Sequence, residues 1–158
     1  MANARGKKVD TTYLSIDNAE ERGFLHRDYI AHCLRWSHVV KYLGTSQRYK
    51  SARVLDVGCG KEMPLSKLLH SSRMGTAWYG AVDVAPLVTP ERFRNASWKP
   101  HQLWSKTDVC TLKPDDFEAP PSAIVCFEVA EHVEPDHCRR MLAKFHELLE
   151  DEGRVFIS

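Results

Sequence analysis

Residues 54–60 read VLDVGCG. Val54, Leu55 and Val57 have the apolar, partly β-branched character of a buried strand, and the glycines at 58 and 60 end it abruptly. Between them stands a carboxylate, Asp56. In an open α/β sheet, ligands bind beyond the carboxyl ends of the strands, near the point where strand order reverses. Glycine tolerates positive φ and lets the backbone approach a ligand closely, so a strand followed by G-x-G predicts a ligand turn. Asp56 can accept hydrogen bonds from the turn amides, and it can also face a cationic ligand directly or through water, whereas a phosphate would be repelled by it. A dinucleotide fingerprint would also require glycine at position 63. Met63 stands there, followed by Pro64. The turn therefore suits a positively charged ligand without phosphate, and S-adenosylmethionine, with a sulfonium and an ammonium, has that chemistry.

Outward from this turn, strands and helices alternate. Arg53–Val57 is the first strand, and Leu65, Leu68 and Leu69 mark a helix after it. Ala77–Val84 (AWYGAVDV) is the second strand. A proline-containing stretch follows, with a short helix expected near Glu91–Asn95, and Gln102–Asp108 is a weak third strand. Residues 115–121 read as loop, and Ala123–Phe127 (AIVCF) as a short buried strand. Pro135 opens the best helix, with Cys138, Met141, Leu142, Phe145, Leu148 and Leu149 on one face. Gly153 ends it before a strand over Arg154–Ile157. This alternation implies an α/β fold, a three-layer sandwich with a mostly parallel sheet and right-handed crossovers.

Two acids at strand ends extend the ligand reading. Asp83 closes the second strand at the distance where nucleoside-binding sheets grip ribose hydroxyls. Asp108, at the next strand end, is placed to accept from an adenine amino group, with Val84 and Val109 flanking the ring.

Together these residues resemble the class I, Rossmann-like S-adenosylmethionine-dependent methyltransferases. VLDVGCG is similar to that family's first motif, GAVDV to its second and TDVC, more loosely, to its third. The run from IVCFEVAEHVEP to ELLEDEGRVFIS resembles the fourth strand, its helix and the fifth strand. The resemblance implies that Asp56, Gly58, Cys59 and Gly60 surround the methionine part of the cofactor. It implies Asp83 and Val84 at the ribose, Asp108 and Val109 near the adenine, and Glu128 beside the cofactor. It also implies a methyl acceptor, a small molecule or a nucleic-acid end, methylated on oxygen.

Glu128, Glu131 and His132 follow the fourth strand directly. On helical or turn-like geometry they share a face, and two carboxylates with an imidazole suit Mg²⁺ or Mn²⁺. This E-x-x-E-H spacing resembles the metal-using O-methyltransferase branches of the family. Two further readings stand beside the metal triad. In one, Glu128 or His132 is a metal-free general base or substrate-orienting group, since imidazole exchanges protons near neutral pH. In the other, the stretch is structural, serving in capping and packing.

The bulk numbers exclude some classes. A net charge of +1, from 22 basic and 21 acidic side chains, gives no overall attraction to nucleic acid or an anionic membrane. No apolar run approaches the roughly 20 residues that span a bilayer. Five scattered cysteines without a C-x-x-C pair fit free thiols in a reducing, cytoplasmic setting. Residues 1–14 read as a disordered basic arm, 15–50 as a helical segment serving as lid or cover, and 51–158 as the cofactor domain. Asp17 or Ser15 is placed to cap that helix and Gly44 to stop it. The family sheet has seven strands and five are found here, so the last strand edge is expected to be open, through truncation, for pairing with another chain, or as a minimal variant of the fold. The alternatives to an enzyme of this kind are a non-catalytic cofactor-binding or scaffold subunit and a nicotinamide-dependent dehydrogenase.

Overall fold

A computed structural model describes residues 27–45, 51–61, 63–71, 76–87 and 99–158. The chain divides into two compact units, residues 1–35 and 36–158. Helix α1 spans Arg27–Thr45, α2 Pro64–Ser71 and α3 Pro135–Leu148. The strands are β1 Arg53–Val57, β2 Trp78–Asp83, β3 Gln102–Ser105, β4 Ala123–Cys126 and β5 Arg154–Ile157. They form one parallel sheet in the order β3-β2-β1-β4-β5. The α/β fold expected from the sequence is therefore the fold observed. The expected arm, the caps at Ser15 and Asp17 and the short helix near Glu91–Asn95 lie outside the described residues.

The chain runs outward from β1 through β2 to β3, then returns to place β4 on the other side of β1. The order reverses between β1 and β4, so the crevice for a ligand opens where these two strands end. Val57 pairs with Cys126 there, which sets the glycine turn after β1 beside Glu128 after β4.

Burial on both faces explains the near-continuous apolar character of β1, β2 and β4. Alternate residues point to opposite sides. Val54, Tyr79, Ala81, Ala123 and Val125 pack with Val39 and Leu43 of α1 and Leu65 and Leu69 of α2. Leu55, Val57, Val82, Ile124 and Cys126 pack with Met141, Phe145 and Leu148 of α3. Those three recur at i+4 and i+7, which is one helix face. Leu142, assigned to that face from sequence, is half exposed because it lies one residue round from Met141.

Several boundaries differ from expectation. β3 stops at Ser105 because Lys106 takes a left-handed φ of 56°, and Asp108 instead caps a 3₁₀ turn over Val109–Thr111. A second 3₁₀ turn, Pro114–Asp116, lies at the start of the expected loop. Gly44 sits within the last turn of α1 instead of stopping it. After α3 the left-handed residue is Glu152 (φ 62°), not Gly153. β5 is an end strand, and Val155 and Ile157 on it are exposed.

Candidate functional site: a glycine turn ringed by acids

The turn after β1 has the conformation its glycines allow. Gly58 and Gly60 have φ of 70° and 63°. Gly58 donates its N–H to Val82 of β2 at 2.9 Å. A Cβ on Gly58 would lie 2.2 Å from Cγ2 of Val129, so the turn presses against the segment leaving β4. A Cβ on Gly60 would meet nothing within 4 Å. Met63 is fully buried in the core. The position that a dinucleotide fingerprint reserves for glycine is thus filled by packed side chain.

Asp83 ties the turn to the second strand. One carboxylate oxygen accepts the N–H of Gly60 at 2.9 Å and the other that of Ala85 at 2.8 Å. Each oxygen retains acceptor capacity for a ligand hydroxyl.

Asp56 is 6% exposed and points to the same sheet face as Tyr79. The Tyr79 hydroxyl donates to it at 2.5 Å, and the backbone N–H of Ser66 in the first turn of α2 bonds to the same hydroxyl. Burial pushes the Asp56 carboxyl up to about 7; the Tyr79 hydrogen bond works against this and the charge of Asp83 with it. A carboxyl whose pKa is raised close to 7 by burial responds strongly to an added cation. Tyr79 was not singled out in the sequence. Its only signal there is its even spacing from Ala81, which faces Asp56 across β1 and β2. Cys59 is buried, and burial with the two acids pushes its thiol far up. Any contact Cys59 makes with a ligand therefore comes from its backbone.

Val84 is 71% exposed and lines an open cleft of about 390 Å³ with Asp108, Val133, Glu134, Asp136, His137 and Arg140. Asp108 accepts the N–H of Cys110 at 2.8 Å and faces Nε2 of His137 at 3.4 Å. Val109, expected to flank a ligand ring, is buried against Leu112, Phe117 and Ile124. The 3₁₀ turn rotates it into the core. His137, Val133 and Arg140 were not foreseen as lining this cleft. Pro135 signals the helix start, but nothing local shows that its first turn faces Asp108.

Glu128 has a left-handed φ of 58°, and its N–H donates to the carbonyl of Ser158 at 3.3 Å. Such strain in a non-glycine residue costs on the order of 1–3 kcal/mol and concentrates at functional sites. Glu131 and His132 lie on the 3₁₀ turn Ala130–His132, 3.8 Å apart and both exposed. The ligand atoms of Glu128, Glu131 and His132 do not gather within 4.8 Å of one another. As arranged here, this set does not form a metal cage.

A family model described as a methyltransferase domain matches residues 26–158. The chain belongs to the methyltransferase domain family. The match begins ahead of β1 and takes in α1. Ubiquinone biosynthesis O-methyltransferases from Xanthomonas euvesicatoria and Xylella fastidiosa are 32% and 36% identical over 124 and 121 residues. Those alignments cover 75% and 74% of this chain but 47% and 45% of the relatives, so the chain spans about half the length of the curated relatives it matches. Among solved structures, the N-methyltransferase NodS of Bradyrhizobium japonicum with S-adenosyl-L-homocysteine superposes with a TM-score of 0.57 at 18% identity, covering 78% of this chain and 59% of that one. The magnesium protoporphyrin IX methyltransferase ChlM of Synechocystis with bound cofactor gives 0.57 at 15% identity, covering 78% and 57%. At these identities the methyltransferase structures share the fold with this chain.

Proposed function

We propose that this chain binds S-adenosylmethionine across the carboxyl ends of β1, β2 and β3 and transfers its methyl group to an oxygen acceptor. The observation that carries the reading is the pairing of a positive-φ glycine turn with two acids, Asp56 beneath it and Asp83 beside it, at the strand-order reversal. That chemistry repels phosphate and welcomes a cationic nucleoside. The backbone of Gly58, Cys59 and Gly60 bounds the methionine portion, and Asp56 supplies negative charge near the ammonium. Asp83 accepts from the ribose hydroxyls. Val84 and Asp108 receive the base, while Val109 supports the floor from within the core.

When bound, the cofactor supplies an electrophilic sulfonium methyl. The protein's part is to hold acceptor and donor in line, from which most of the acceleration comes. Glu128, fixed at the mouth of the crevice by its left-handed backbone, orients the acceptor. His132, which is exposed, takes the acceptor hydroxyl's proton as the new C–O bond forms. No step is assigned to Mg²⁺ or Mn²⁺. An oxygen acceptor is favoured by the names of the 32% and 36% identical relatives. A small hydroxylated ring is the substrate class they suggest, with a nucleic-acid end as the other expectation. Among the described residues no helix is long and apolar enough to cross a membrane.

The test is transfer of labelled methyl from S-adenosylmethionine to a catechol-type ring and, separately, to an oligonucleotide. Transfer to the ring is expected. Binding of the cofactor without transfer to any oxygen acceptor would favour the scaffold reading. Binding of a nicotinamide dinucleotide in its place would end the proposal.

A further inference from the structure

Asp108, Cys110 and His137 form a trio whose ligand atoms all lie within 4.8 Å of one another, the one such group among the described residues. All three are half-buried and come from two ordered elements, the 3₁₀ turn after β3 and the first turn of α3. The Cys110 thiol lies beside the Asp108 carboxylate, whose far oxygen lies 3.4 Å from Nε2 of His137. One sulfur, one imidazole nitrogen and one carboxylate oxygen make a donor set suited to Zn²⁺. Around a tetrahedral ion with bonds of about 2.0–2.3 Å, donors sit roughly 3.3–3.8 Å apart. The observed spacing thus asks for closure of about an ångström, within the reach of side-chain rotation. Asp108 and His137 line the open cleft together with Val84, Val133 and Glu134, so the trio borders space that an ion could reach.

We propose that Asp108, Cys110 and His137 bind a zinc-type divalent cation, and that this ion and the cofactor's base compete for Asp108. The competition rests on the cofactor reading above; the metal site does not. As the sulfur–metal bond forms, the thiol proton leaves to solvent. Two anionic donors then face the ion, in a place where Arg140 is the nearest obstacle. Its Nη2 lies 3.0 Å from Nδ1 of His137. A ring that gives Nε2 to a metal carries its own proton on Nδ1, so Arg140 must swing away, as its exposed position allows. Arg140 therefore weakens the site twice, by charge and by holding the wrong tautomer.

Cobalt(II) titrated into the metal-free protein reads the site directly through sulfur-to-cobalt charge-transfer absorption, with Zn²⁺ bleaching the band by displacement. One equivalent should develop the band. Cys110→Ser should abolish it, and His137→Gln should weaken binding about tenfold or more. Arg140→Gln should tighten it severalfold. Presaturation with S-adenosylhomocysteine should raise the cobalt concentration required. Absence of the band, or a band that survives Cys110→Ser, overturns the metal site. Cobalt and S-adenosylhomocysteine bound together without mutual weakening overturn the competition. Calorimetry of S-adenosylhomocysteine on the metal-free protein keeps the two readings apart. No heat there ends the cofactor reading and leaves the metal result standing.

Discussion

Replacing Asp56 by asparagine isolates the energetic cost of the buried acid. An ordinary aspartate titrates near 3.8, and burial pushes Asp56 in the folded protein up to about 7. Between those values the folded state holds a proton that the unfolded chain has lost. Stability therefore falls as pH rises from about 4 to about 7, and the contribution from the protonated form is complete only below the unfolded value. At about 1.4 kcal/mol per pH unit, the full penalty at pH 8 is roughly 4 kcal/mol. Asparagine keeps the shape and an acceptor for the Tyr79 hydroxyl, but leaves an amide N–H to satisfy, at about 1–3 kcal/mol. Asp56→Asn should thus stabilise the ligand-free protein by about 1–3 kcal/mol at pH 8 and destabilise it near pH 4. Urea unfolding of both proteins across this range measures the difference and cancels the other titrating groups. A pH-independent difference, or a variant less stable at pH 8, would refute the reasoning. Binding should show the opposite preference. A cation beside Asp56 favours the ionised form, so affinity for S-adenosylmethionine should rise from pH 6 to 8 in the parent and stay flat in the variant.

The two glycines of the turn make a matched pair. Gly58→Ala meets Val129 at 2.2 Å on top of an unfavourable φ and should cost about 2–4 kcal/mol in urea unfolding, partly recovered by Val129→Ala. Gly60→Ala meets open space and should cost only about 1 kcal/mol by the same assay. Asp83→Ala removes acceptors from the ribose and from the Gly60 amide, and should weaken S-adenosylhomocysteine by about 1.5–3 kcal/mol in calorimetry. Methyl transfer should persist in EDTA and in Glu131→Ala; loss of activity in both, restored by Mn²⁺ in the parent alone, would bring back the metal triad.

The strands nearest the turn were legible because they are buried on both faces. In β1, β2 and β4 nearly every residue is apolar, and Asp56 and Asp83 stand out against that background. α3 was legible from Met141, Phe145 and Leu148 at helical spacing, which also over-extended its apolar face to Leu142. What stayed hidden depends on contacts distant in sequence. Val109 follows an acid at a strand end and looks like ring-flanking surface, yet the 3₁₀ turn capped by Asp108 sends it inward. Tyr79 finds Asp56 only through the β1–β2 register, and His137 finds Asp108 only because α3 starts beside the end of β3. The E-x-x-E-H spacing suggests convergence, but with a left-handed Glu128 ahead of the 3₁₀ turn only Glu131 and His132 come together, 3.8 Å apart, and Glu128 does not join them.

A crystal of this protein soaked in S-adenosylhomocysteine probes the site most directly. Density is expected over Gly58–Gly60, with both ribose hydroxyls on the Asp83 carboxylate and the base against Val84. A fully bound ligand located elsewhere, or a glycine turn left empty at saturating concentration, would contradict the assignment of that turn to a cationic nucleoside.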